Sequence, residues 1–68
     1  MRSFYTAPDG RTASLCKHLY KEQTHLIIRS PEGHTLHTWW YDTWQDAVDA
    51  LRDMMPNAVN DLTHKPLA

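Results

Sequence analysis

The sequence predicts an α+β domain: a four-stranded antiparallel meander built from two hairpins, with one C-terminal amphipathic helix packed on one face, in the order ββββα. Three observations predict it. Two turns of the form x-P-[DE]-G-x stand at Ala7-Pro8-Asp9-Gly10-Arg11 and Ser30-Pro31-Glu32-Gly33-His34. Apolar and polar residues alternate around the second turn, as a half-buried strand requires. From Asp42 onward the apolar period changes from two to that of a helix.

Each turn has a mechanism. Proline presets φ at the first central position, the acidic residue tolerates the second, and glycine supplies a positive φ. The result is a type I turn closing into a G1 bulge, the three-residue hairpin loop. In the first hairpin, Ala7 facing Arg11 sets Tyr5 opposite Ala13 and Ser3 opposite Leu15. From Ser14 to Tyr20 the pattern conflicts, because Leu15 and Leu19 favour one face and Lys17 opposes it. A bulge near Lys17 resolves this. Lys21-Glu22-Gln23 then turns the chain into the third strand.

In the second hairpin, Ser30 facing His34 sets Ile28 opposite Leu36, Leu26 opposite Thr38 and Thr24 opposite Trp40. One face then carries Leu26, Ile28, Leu36 and Trp40, which reads as core. The other carries His25, Ile27, Arg29, Thr35, His37, Trp39 and Tyr41. Beyond it, Trp44, Ala47, Val48, Leu51, Met54 and Met55 form one helical stripe. Asp42 or Thr43 is the N-cap, with Asp46 completing a capping box after Thr43, and Pro56 marks the stop. Residues 1–62 form one domain and residues 63–68 a C-terminal tail.

Composition bounds the function. The chain has 68 residues, 41% of them hydrophobic, which allows one small core. A single cysteine, Cys16, excludes an intramolecular disulfide and a four-cysteine zinc site. No apolar run approaches the roughly 20 residues of a membrane-spanning helix, and no signal-peptide core is visible. The expected address is the cytoplasm. A formal charge of −1 disfavours nucleic acid as a partner.

One helix covers one face of a sheet, so the other face is expected to be open. In this register it presents Ile27, Trp39 and Tyr41 as apolar anchors, together with Phe4 and Tyr20, with His25 and His37 as polar rim and Arg29 nearby. Such a patch reads as an interface with a protein partner or a second copy of the chain. The competing reading has the C-terminal segment fold back over it, with Val59 and Leu62 as plugs. His18, His25, His37 and Cys16 are the candidate metal ligands, but their spacing matches no metal signature and no metal or cofactor is expected. A glycine-rich phosphate loop is missing because Gly10 and Gly33 belong to turns. Cys16 and a histidine lack the further groups that nucleophilic catalysis needs, so no enzymatic activity is expected.

Three resemblances are loose. From Trp39 to Met54, where an aromatic strand enters a helix beginning Asp42-Thr43-x-x-x-Ala47, the chain is similar to the sheet-plus-helix DNA-binding domains of plant ethylene-response factors and phage integrase arms. In element order it resembles the single-stranded-DNA-binding coactivators. These likenesses imply the alternative function, a nucleic-acid-binding module with Trp39 and Tyr41 as stacking platforms and Arg29 as phosphate contact. In size, charge and lack of a catalytic site it resembles small phage-encoded anti-CRISPR proteins and host-enzyme inhibitors. The function expected is a non-enzymatic binding protein, a phage or mobile-element type of inhibitor or regulator.

Overall fold

The structure, a computed structural model, describes residues 1–67. The order along the chain is β1 (Arg2–Thr6), β2 (Thr12–Lys17), β3 (Thr24–Arg29), β4 (Thr35–Tyr41), α1 (Trp44–Met54) and β5 (Val59–Asn60). The fold is α+β, with one antiparallel sheet in the spatial order β4-β3-β2-β1-β5. Four strands run in meander order, and the fifth was not expected from the sequence.

Both turns are closed at their ends and bent by glycine. The Ala7 N–H donates to Arg11 O (2.9 Å) and the Ser30 N–H to His34 O (2.7 Å). Gly10 and Gly33 have φ of 94° and 92°, a region that costs other residues steric strain. Asp9 braces the first turn by accepting from the Arg11 backbone N–H (3.0 Å) and Nε (2.7 Å). These contacts, the backbone one foremost, hold the exposed Asp9 carboxyl below the usual carboxylate range. The turns also touch each other, since a Cβ added at Gly10 would lie 3.2 Å from the Pro31 ring.

Strand pairing sets the two faces. Tyr5 pairs with Ala13 and Ser3 with Leu15; Leu15 pairs with Leu26 and Ala13 with Ile28. This row of Tyr5, Ala13, Leu15, Leu26 and Ile28 is buried beneath Ala47, Leu51 and Met55, and Ala58 closes the core. α1 begins at Thr43, whose Oγ1 accepts from the Asp46 N–H (3.0 Å). It ends where the Met55 N–H donates to Leu51 O (2.7 Å), just before Pro56 removes the next donor.

β4 departs from the expected register. Arg29 pairs with Thr35, but Ile28 pairs with His37, Leu26 with Trp39 and Thr24 with Tyr41. The irregularity between Ile28 and Arg29 absorbs one extra β4 residue, Leu36. A one-residue slip reverses every side chain beyond it. Leu36, expected in the core, is 57% exposed. Trp40, also expected in the core, lies on the face away from the helix. The physical gain is at the helix end of the strand. There Tyr41 packs against the core beside Trp44, while its hydroxyl reaches His37 Nε2 at 3.1 Å.

β2 needs no bulge at Lys17. The strand ends there, and Leu19 and Tyr20, 91% and 98% exposed, sit in the β2–β3 loop. Past α1, Val59 pairs with Thr6 and Asn60 with Tyr5. The segment read as a tail is tied down through residue 67: Asn60 N–H donates to Lys65 O (3.0 Å) and Leu67 N–H to Ala58 O (3.0 Å). Arg52 Nε adds a bond to Leu67 O (3.2 Å). Ala68 lies outside the described residues.

Candidate functional site

The helix packs on one face of the sheet, and the opposite face is crossed by three rows of paired side chains. One runs Arg2, Cys16, His25, Trp40; the next Phe4, Ser14, Ile27, Thr38; the third Thr6, Thr12, Arg29, Thr35. Val59 joins Thr6 at the β5 edge. Among the described residues, the C-terminal segment does not lie over these rows. It extends the sheet sideways, and Leu62 is 86% exposed rather than a plug.

The best-ordered part of this face is an aromatic stack. His25 and Trp40, a cross-strand pair, lie parallel with ring centroids 4.3 Å apart and planes at 4°. His18, from the loop after β2, stacks on the same indole at 5.6 Å. Lys21 Nζ stands 5.1 Å from the indole centroid, within cation–π range. His25 Nε2 and Thr38 Oγ1 share a hydrogen bond of 2.7 Å, which fixes the imidazole in its stacked pose. Burial pushes the His25 pKa below its ordinary value, and the neighbouring His18 adds to the shift. Beside the stack, Phe4 is 48% exposed and Ile27 is half-buried.

Three of the six residues expected to bind a partner are here: His25, Ile27 and Arg29. The other three, Trp39, Tyr41 and His37, are on the helix face instead, because of the β4 slip. Tyr41 and His37 are half-buried and bonded to each other. Trp39 sits beyond the helix's cover, 63% exposed, and with Trp40, Lys21 and Gln23 lines an open groove of about 410 Å³ at the sheet's margin. Trp40 and Lys21 are the residues that sequence reasoning missed. The signal for Trp40 was weak, since Trp39-Trp40 offers the same side chain to either face.

The chemistry available is recognition by stacking, apolar contact and a few cations. Cys16 neighbours His25 across β2 and β3, but the imidazole Nε2 is engaged by Thr38. Among the described residues, no group of three or more His, Cys, Asp and Glu is placed to hold a metal ion. No helix among them is long and apolar enough to cross a membrane. Comparison of the chain with protein-family models, curated proteins and solved structures finds no match.

Proposed function

We propose that this chain is a non-enzymatic binding protein that makes a protein–protein contact through the open sheet face. The observation that carries the reading is that the one helix leaves Phe4, Ile27 and the His25–Trp40 stack without cover. Aromatic and aliphatic groups fixed on a rigid sheet lose little entropy on binding, which suits them as anchors. Ile27 and Phe4 supply the apolar centre, Trp40 and His25 a rigid wall, and Arg2 and Arg29 the polar rim. A regulator or inhibitor of the phage or mobile-element kind, acting by occupying a partner's surface, fits a domain of this size and charge.

The alternative occupant is single-stranded nucleic acid, supported by the stacked indole with Lys21 above it and by Arg2 and Arg29 on the same face. Trp40 already stacks with His25 and His18 and carries Lys21 over its ring, which favours the protein reading, because a base needs a free ring to stack on. The test is affinity capture followed by reconstitution with the purified captured protein, using wild type and a Phe4→Ser/Ile27→Asn double variant. The reading expects binding that the double variant loses and that salt barely weakens. Binding that survives the double variant overturns it. Tight binding of a mixed-sequence single-stranded oligonucleotide, falling steeply with salt, would replace it with the alternative.

A further inference from the structure

We propose that the outer edge of β4 is the seam of a homodimer, in which β4 pairs antiparallel with β4 of a second copy. This rests on the sheet's edges, not on the open face binding a partner.

The two edges of the sheet differ in kind. At one, β5 is only two residues long, and the chain turns back along it through the Asn60–Lys65 hydrogen bond and the Val59–Pro66 bridge. That edge is blunted. At the other, β4 runs seven residues, Thr-Leu-His-Thr-Trp-Trp-Tyr, with no Lys, Arg, Asp, Glu or Pro. Its outer side presents about 23 Å of backbone donors and acceptors with no strand beside it among the described residues. Soluble proteins break such edges with charge, proline, bulges or cover. The bulge here lies at the start of the strand, so His37–Tyr41 stays regular.

The occupant that fits is a copy of the same strand. An edge that meets itself must not repel itself, and this one carries no formal charge along its length. Antiparallel pairing of one edge with its copy requires a two-fold axis perpendicular to the sheet. Overlap of the regular stretch His37–Tyr41 with itself centres that axis on Trp39. Each exposed indole then meets its counterpart as a cross-strand aromatic pair, on the side where both helices lie. This accounts for a tryptophan left 63% exposed on the helix face of β4, between the half-buried His37 and Tyr41. The two open faces become one continuous surface on the opposite side. Because each copy uses its long edge and keeps its blunted one, assembly stops at two.

Sedimentation equilibrium of the full chain from micromolar to millimolar concentration tests this. The expectation is a monomer–dimer equilibrium without larger species. Trp39→Lys should weaken the dimer by about tenfold or more, a difference of about 1.4 kcal/mol, while Ile27→Glu leaves it intact. Mixing Trp39→Lys with Trp39→Glu should restore a heterodimer, which a folding defect would not allow. Hydrogen exchange on the wild type gives an independent reading, with residues 37–41 gaining protection as concentration rises. A monomer throughout, open-ended polymers, or a dimer lost in Ile27→Glu and kept in Trp39→Lys would each overturn the seam. Only the last would move the dimer contact to the open face; a wild type that is monomeric leaves the proposed partner contact to its own test.

Discussion

His25 and Trp40 face each other across β3 and β4 with their rings 4.3 Å apart and nearly parallel, so a titratable base is held against an indole on the sheet's open face. The indole removes water from one side of the imidazole, and His18 brings a second ionisable ring to the same cluster. Both disfavour the imidazolium, which lowers the His25 pKa.

The sign of the pH effect follows. Around the ordinary histidine pKa the unfolded chain binds more protons at this position than the folded one, so stability rises with pH there. The contribution is complete above the ordinary value and is lost as pH falls through the lowered one. Melting curves from pH 8 to pH 5 should therefore show a decline that is smaller in His25→Phe, which keeps a ring on Trp40 but does not titrate. An NMR titration of Trp40→Ala should find the His25 pKa moved upward. A His25 midpoint unchanged by loss of the indole would mean that burial by Trp40 is not the cause.

Leu51 is fully buried at the centre of the helix stripe. Leu51→Ala should cost about 2–5 kcal/mol, which approaches the whole stability of a domain this small. Chemical denaturation measures it, and an unchanged midpoint would place the helix elsewhere.

That helix was legible because six apolar residues repeat at helical spacing behind Thr43 and before Pro56. The first hairpin was legible because its turn residues determine its register: Tyr5–Ala13 and Ser3–Leu15 pair as read. β4 was not. A bulge adds one residue without any required side-chain type, and Leu36, Trp39, Trp40 and Tyr41 are apolar enough to serve either face. The open face was therefore anticipated in kind, and in His25, Ile27 and Arg29, while its principal aromatic was assigned to the core. β5 has two residues, too few for a period to show.

The glycines of the two turns should respond unequally. Both have positive φ, so Ala at either position is strained by about 1 kcal/mol. At Gly33 a Cβ meets open space, whereas at Gly10 it crowds Pro31 at 3.2 Å. Gly10→Ala should thus lower the melting temperature more than Gly33→Ala. The reverse order would mean that the turns do not pack together.

Thr24 is fully buried and its hydroxyl has no hydrogen-bond partner among the described residues. An unsatisfied buried hydroxyl opposes folding, so Thr24→Val, which keeps the shape and removes the polar atom, should stabilise the domain by about 1 kcal/mol. A destabilisation measured by denaturation would show that the hydroxyl is hydrogen-bonded in solution.

Trp39 and Trp40 are neighbours on one strand and must point to opposite sides of the sheet. The β4 slip decides which is which: Trp39 pairs with the core residue Leu26, and Trp40 with His25. Face does not by itself determine cost, because β4 is the outermost strand. Trp39 is mostly in solvent despite lying on the helix side, whereas Trp40 is half-buried against His25, His18 and Lys21. At concentrations low enough to keep the chain monomeric, Trp39→Ala should change stability by less than about 1 kcal/mol, as an exposed position does. Trp40→Ala should cost roughly 2 kcal/mol, below the 3–5 of a fully buried tryptophan but including the stacking energy. Chemical denaturation of both variants separates these values. A Trp40→Ala cost of about 3–5 kcal/mol, that of a fully buried tryptophan, would restore Trp40 to the core, remove the bulge between Ile28 and Arg29, and return Trp39 and Tyr41 to the open face.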